Sequence, residues 1–110
     1  MCNLYRLTKP GHEVAHLFDA IVGNLGNAGT GEVYPGRPGL VVSPQAGGGK
    51  PGTLELRSMT WGFPLVLKGK NGQPLKPKPV NNARADKLDG FMWRYSFAER
   101  RCLIPVITIV

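Results

Sequence analysis

The hydrophobic positions near the N-terminus follow a helical period. Apolar side chains recur there at spacings of three and four residues, at Val14, Leu17, Phe18, Ile21 and Val22. Such spacing places side chains on one face of a helix, and Gly23 is a residue type that often follows a helix end. The pattern predicts an amphipathic helix over residues 13–22.

Two strands are predicted in the middle of the chain. Residues 40–42 are an apolar run between turn-forming residues, which predicts a short strand over residues 39–43. Residues 54–61 alternate between two faces, one with Leu54, Leu56, Ser58 and Thr60 and the other with Glu55, Arg57, Met59 and Trp61. This period of two predicts a partly buried strand.

The remaining segments are read from their glycine, proline and aromatic content. Residues 23–39 and 46–52 are rich in turn formers and are predicted to be loops. Prolines exclude a regular helix or central strand from residues 68–79. Residues 86–101 are predicted to be mostly helical or irregular, and the apolar residues 102–110 to form a buried strand. The aromatic side chains of residues 86–101 are Phe91, Trp93, Tyr95 and Phe97.

Length and composition fit one loop-rich folded domain. The chain has 110 residues, of which 15 are Gly, 10 are Pro and 42% are apolar. We therefore expect residues 1–110 to form a single domain of the mixed α+β class. No apolar run of 18 residues occurs, and polar residues stand where a signal peptide needs its apolar core. These features predict a cytoplasmic protein without a membrane partner.

The charge is strongly basic and unevenly distributed. Fourteen Lys and Arg residues against seven acids give a net charge of +7, which favours polyanions such as nucleic acid. Much of the excess lies in residues 67–87, where Asp86 is the only acid. The basic residues of this segment are Lys68, Lys70, Lys76, Lys78, Arg84 and Lys87. A solvated basic loop without any partner has the same composition, so that alternative stays open.

Two segments resemble metal-binding or nucleotide-binding motifs but lack residues that those motifs require. The segment His12-Glu13-Val14-Ala15-His16 has the literal HExxH form, but Pro10-Gly11 precedes it directly and the chain has no third His. We interpret both His residues as partly exposed on the first turns of the helix. Residues 47–51 lack the first Gly and the Ser or Thr of a phosphate loop. We therefore expect neither a metal nor another cofactor.

Cys2 has the most distinctive chemistry in the chain. Removal of Met1 would leave an N-terminal cysteine with a free α-amine and a thiol, whose pKa values of about 8 and about 8.5 leave usable fractions of both nucleophiles at neutral pH. The pair can condense with an aldehyde to a thiazolidine, or the thiolate can attack an acyl carbon. A cysteine at position 2 by chance is the alternative. The second cysteine, Cys102, is far away in sequence and forms no CxxC pair, which favours reduced thiols.

Four segments occur in the order seen in one family. They are Met1-Cys2-Asn3-Leu4-Tyr5, Trp61-Gly62, Asn82-Ala83-Arg84-Ala85-Asp86 and Phe97-Ala98-Glu99-Arg100-Arg101-Cys102-Leu103-Ile104-Pro105. On these motifs the chain resembles the SOS response-associated peptidases, the abasic-site processing proteins. The resemblance implies a barrel-type β-sheet with flanking helices, of which this chain would hold the N-terminal part. The family's catalytic Glu and His have no counterpart before Val110, so we expect a C-terminally truncated member.

The resemblance also implies a function and a set of site residues. Cys2 would form a thiazolidine with the ring-opened aldehyde of an abasic site in single-stranded DNA, with associated autopeptidase and lyase activity. Asn82 would orient the Cys2 adduct, Arg84 would hold a flanking phosphate, and Trp61 would stack or form the site wall. The expected DNA-binding set is completed by Lys68, Lys70, Lys76 and Lys78. We expect a monomer that is associated with the nucleoid when bound to DNA.

Two other functions remain open from the sequence. An N-terminal nucleophile amidase would also use Cys2, but the glutamine-recognition motifs that it predicts are not found. A noncatalytic basic binder of single strands, or a degenerate member of the family, would use the lysine-rich segment and leave Cys2 idle. It predicts salt-sensitive binding that needs no aldehyde.

Overall fold

Eight short strands and two α-helices make up the part of the chain that the computed structural model describes, which is residues 3–28, 30–45 and 50–109. In chain order they are β1 (Tyr5–Leu7), α1 (Gly11–Leu17), β2 (Ala20–Val22), β3 (Gly31–Val33), β4 (Pro38–Pro44), β5 (Leu54–Thr60), β6 (Phe63–Leu65), β7 (Lys78–Val80), α2 (Arg94–Glu99) and β8 (Thr108–Ile109). The fold is mixed α+β, as the sequence predicts.

The sheet β2-β5-β4 contains the two strands that the sequence predicts in the middle of the chain. Strands β4 and β5 are antiparallel and seven residues long, with Val42 opposite Leu56. Their inner faces pack against α1 in one apolar core. The buried members of this core are Leu7, Val14, Ala15, Leu40, Val42 and Leu56. Both predicted strands are confirmed, and Leu56, with 0% exposure, lies at the centre of the core.

The predicted helix over residues 13–22 is correct only in its first half. Helix α1 ends at Leu17, the chain turns at Asp19 with a φ of 50°, and Ala20–Val22 form β2, which pairs in parallel with β5. The apolar spacing of residues 18–22 suits a helix and a strand equally well over so short a run. Pairing with β5 supplies hydrogen bonds to the backbone N–H and C=O groups of residues 20–22, which favours a strand there. The predicted helix is therefore wrong beyond Leu17.

A second sheet has the order β3-β1-β8 and brings the two ends of the chain together. Tyr5 in β1 lies opposite Val33 on one side and Ile109 on the other. Strand β3 lies within the segment predicted to be loop. The prediction of a buried strand over residues 102–110 is also wrong, because the described part is mostly exposed and pairs only at Leu103 and in β8. Pro105 lies between these two contacts and has no N–H for a continuous ladder.

Strands β6 and β7 form a separate antiparallel hairpin in which Phe63 pairs with Val80 and Leu65 with Lys78. We call residues 63–80 the basic arm. Its loop is the segment that the prolines predict, with an isolated bridge between Lys68 and Pro74. The predicted loop over residues 68–79 is two residues too long, because β7 begins at Lys78. A two-stranded ribbon tolerates a proline in a strand, since an edge position needs no N–H donor.

Residues 86–101 are helical and irregular, as predicted: the end of a 3₁₀ turn (Ala85–Lys87) precedes α2. The described strands form three separate sheets, and the barrel-type sheet stays a prediction. Among the described residues no helix has the length and apolar character needed to cross a bilayer.

Candidate nucleic-acid interface

An open groove of about 580 Å³ lies where β1, the end of β5 and α2 meet. Apolar side chains dominate its walls, with a guanidinium and a thiol at the rim. Its lining includes Tyr5, Val41, Trp61, Phe63, Arg100 and Cys102. A concave, largely apolar site with a few polar groups is the usual form of a ligand site.

Trp61 is held rigidly at one wall of the groove. Its backbone N–H donates to the Arg37 carbonyl at 3.0 Å, and its backbone carbonyl accepts from the Gly36 N–H at 2.8 Å. The indole packs against the buried ring of Tyr5 at a centroid distance of 5.2 Å and an interplanar angle of 53°. Gly39 permits this arrangement, because a Cβ there would collide with the Tyr5 hydroxyl. Trp61, which is half-buried, therefore has the fixed position that a stacking platform needs.

Cys102 contributes a thiol to the same groove. Desolvation raises the pKa of this thiol, and the Arg57 guanidinium opposes the shift. Desolvation also raises the pKa of the Tyr5 hydroxyl, with a second contribution from Cys102. The Nε atom of Arg57 is buried and has no hydrogen-bond partner among the described residues. The groove thus holds a thiol whose thiolate form is disfavoured by desolvation.

The reactivity of Cys102 tests this description. Because its pKa is raised, alkylation by iodoacetamide should reach half its limiting rate at a higher pH than alkylation of free cysteine. Removing the nearby cation disfavours the thiolate, so Arg57→Gln should move the midpoint higher still. Peptide mapping by mass spectrometry separates Cys102 from Cys2. A midpoint at or below that of free cysteine would contradict the desolvated position.

The hairpin register brings Asn82 to the Trp61 end of the basic arm. Phe63 and Val80 form the last pair of the hairpin ladder. Trp61 lies two residues before Phe63, and Asn82 lies two residues after Val80, so both follow the same end of the ladder. Asn82 is exposed, and its Nδ2 donates to the Asn81 Oδ1 at 3.1 Å. Its amide therefore has room for a substrate contact.

Arg84 is exposed and engaged with an acid. Its Nε and Nη2 atoms donate to the two carboxylate oxygens of Asp86, each at 3.1 Å. The side chains are 79% and 61% exposed, and ion pairs with such exposure contribute only about 0–1 kcal/mol. A phosphate can therefore compete with Asp86 for this guanidinium.

The four lysines proposed for DNA binding are exposed on the basic arm. Lys68 and Lys70 lie near one side of its loop, and Lys76 and Lys78 near the other. No acid occurs between residues 62 and 85, and no ion pair involves these lysines within the described residues. The arm is thus a concentrated positive charge attached next to the groove.

Cys2 lies outside the described residues, as do residues 46–49 of the rejected phosphate loop. His12 and His16 are exposed on α1, and Glu13 pairs with Lys9 at 3.1 Å. No group of three or more His, Cys, Asp or Glu residues in the described ranges could hold a metal ion. Sequence reasoning missed Tyr5, Arg57 and Cys102, whose meeting depends on the pairing of strands distant in sequence.

An aromatic groove beside a cationic arm has the chemistry that single-stranded nucleic acid binding uses, with stacking for bases and charge for phosphates. The family model of the SOS response associated peptidases (SRAP) matches residues 1–108. The chain therefore belongs to this family. Membership indicates an SOS-associated role in the processing of abasic sites. No curated protein and no solved structure matches the chain.

Proposed function

We propose that this protein captures abasic sites in single-stranded DNA as a covalent adduct on Cys2. The observation that carries the proposal is the packing of Trp61 against Tyr5 in a groove beside the basic arm, in a chain of the SRAP family. Tyr5 follows Cys2 by three residues, a length of chain that spans at most about 11 Å. Autopeptidase and lyase activities belong to the same proposal.

The only reactants of the proposed chemistry are Cys2 and the aldehyde of the lesion. After removal of Met1, the α-amine attacks the aldehyde carbon of the ring-opened sugar, and loss of one water gives an imine. The Sγ atom then adds to the imine carbon while the nitrogen takes up a proton, which closes a five-membered thiazolidine. No oxidant or reductant is consumed. The proposed role of Asn82 is to orient the reacting groups through its side-chain amide.

The basic arm supports a single strand as the substrate. Its lysines neutralise successive phosphates, and the Trp61 indole offers a base a surface for stacking. An unpaired strand can present both its bases and its backbone to such a surface. The same arm also favours a second function, noncatalytic binding of single-stranded DNA. DNA binding without adduct formation would support that function instead.

Replacing Asn82 tests the proposed geometry. For Asn82→Ala we expect adduct formation at least about tenfold slower, because a positioned hydrogen-bonding group is lost at the reacting centre. DNA affinity should remain near normal, since the backbone phosphates are contacted elsewhere. Asn71→Ala, on the loop of the basic arm, is the matched control. Unchanged kinetics of adduct formation in Asn82→Ala would remove this residue from the site.

Releasing Arg84 should strengthen DNA binding. Asp86→Asn removes the carboxylate that engages the guanidinium and competes with phosphate, so affinity for a single-stranded oligonucleotide should rise by up to about fivefold. Asp89→Asn removes an equal charge from an exposed position nearby and serves as the control. Fluorescence anisotropy at several salt concentrations measures the effect. Weaker binding by Asp86→Asn alone would argue that the pair acts as a unit and that Arg84 does not hold a phosphate.

A further inference from the structure

Three aromatic rings on and beside α2 are exposed to solvent. Phe91 is 88% exposed, Tyr95 is 60% exposed and Phe97 is 47% exposed. Aromatic rings usually contribute to a hydrophobic core, but Tyr5 is the only aromatic side chain that is buried among the described residues. The exposure of three rings in one segment is therefore unusual. The other aromatic residue of the segment, Trp93, packs against Phe63 at a centroid distance of 5.0 Å.

Arginine guanidiniums lie over the exposed rings. The Cζ atom of Arg94 is 5.0 Å from the centroid of Tyr95 and 6.0 Å from that of Phe91. The Cζ atom of Arg101 is 5.4 Å from the centroid of Phe97. These cation–π contacts keep each positive charge beside an aromatic face. We call Phe91, Arg94, Tyr95, Phe97 and Arg101 the α2 surface.

The composition of the α2 surface favours an anionic partner with flat apolar groups. Residues 90–102 carry three arginines and a single acid, Glu99. Phosphates match the arginines, and bases match the exposed rings, because every base has a face for stacking. Single-stranded nucleic acid combines both features at a regular spacing. A purely apolar partner would leave the guanidiniums unpaired.

The α2 surface lies beside the groove. Ser96 and Arg100 of this segment line the groove that contains Trp61, and Arg100 donates to the Ser96 Oγ at 2.8 Å. The contact between Trp93 and Phe63 joins the segment to the basic arm. A strand that leaves the groove therefore meets exposed aromatic rings next.

We infer that the α2 surface binds the nucleotides that flank the lesion in single-stranded DNA. The rings of Phe91 and Tyr95, which share Arg94 between them, stack on neighbouring bases while Arg94 contacts a phosphate. Phe97 and Arg101, which lie on another side of α2, form a second pair of the same kind. This inference rests on the proposed function for its substrate. It assigns the sequence-tolerant part of DNA binding to a segment different from the basic arm and from Cys2.

Undamaged single-stranded oligonucleotides test the inference without any contribution from Cys2 chemistry. We expect Phe91→Ala and Tyr95→Ala each to weaken binding about tenfold in fluorescence anisotropy. Tyr95→Phe retains the ring and should bind like the parent chain. Arg94→Gln should lower the slope of log affinity against log salt by about 0.7. Leu17→Ala, which shortens an exposed side chain on α1, is the matched control.

Three results separate this inference from the proposed function. Unchanged affinity in Phe91→Ala and Tyr95→Ala would overturn the inference while leaving adduct formation intact. Loss of self-association in these variants, measured by sedimentation, with unaltered DNA affinity would overturn it in favour of a contact between copies. If undamaged strands bind through the rings and no abasic adduct forms, the proposed function fails, and the α2 surface remains a site for single-stranded nucleic acid without a lesion.

Discussion

Replacing Cys2 by alanine is expected to abolish the denaturation-resistant complex with abasic single-stranded DNA. The thiazolidine needs a thiol to close on the imine, and alanine has none. An imine formed by the α-amine alone is reversible by water and does not survive denaturation. The expected change is therefore a complete loss of the adduct band in a denaturing gel, with noncovalent affinity for the oligonucleotide unchanged.

The chain contains its own control for this experiment. Cys102→Ala removes the only other thiol, which lines the groove and whose pKa is raised by desolvation. We expect this variant to form the adduct at near the parent rate, because a thiol without a neighbouring amine cannot close the ring. An adduct that survives in Cys2→Ala would mean that a nucleophile other than the Cys2 thiol captures the aldehyde in a stable form. One that is lost in both variants would make the groove thiol a participant.

Neutralising the basic arm should have the second-largest effect, this time on affinity. Replacing Lys68, Lys70, Lys76 and Lys78 by glutamine removes four cations that pair with no acid among the described residues. Each phosphate contact contributes about 0.7 to the salt slope for single strands, so the slope should fall by about 3. The quadruple variant should bind far more weakly at low salt and converge with the parent at high salt.

Lys50→Gln, at an exposed position outside the arm, is the control for charge alone. This control should leave the salt slope near the parent value. Titration by fluorescence anisotropy between low and moderate salt measures the slopes. If the control and the quadruple variant lose affinity in proportion to charge removed, the arm is no more than part of a diffuse positive surface.

The two central strands could be predicted because their sequence pattern matches their environment. Leu56 is fully buried between β4 and α1, and it belongs to the predicted inner face of residues 54–61. A period of two is enforced by the pleat of the backbone, so burial of one face leaves a direct record in the sequence. The loop of the basic arm was predictable for a similar reason, since prolines remove donors from a ladder.

Two other segments depend on contacts that the local pattern does not contain. Residues 20–22 form a strand only because the edge of β5 is free to pair with them. The apolar C-terminal segment predicts burial, but its partners are short: Leu103 pairs at Val42, and β8 pairs with β1 over two residues. Most of its side chains therefore remain exposed.

The candidate site was only partly predictable. Asn82 and Trp61 come from motif resemblance, and the β6-β7 register explains why two residues 21 positions apart share one end of the hairpin. Tyr5 and Cys102 gave no comparable signal, because their meeting follows from pairing between opposite ends of the chain. The alternation of residues 54–61, which puts Met59 and Trp61 on one face, was the one clue to that wall of the groove.

The most direct test of covalent capture is the intact mass of the protein after incubation with an abasic single-stranded oligonucleotide. Covalent capture predicts a species equal to the chain without Met1 plus the oligonucleotide less one water, stable to denaturation and mapped to Cys2 after digestion. The same oligonucleotide with its aldehyde reduced to an alcohol should give no such species. A folded chain without Met1 that binds the abasic strand but shows only the two unmodified masses would contradict the claim.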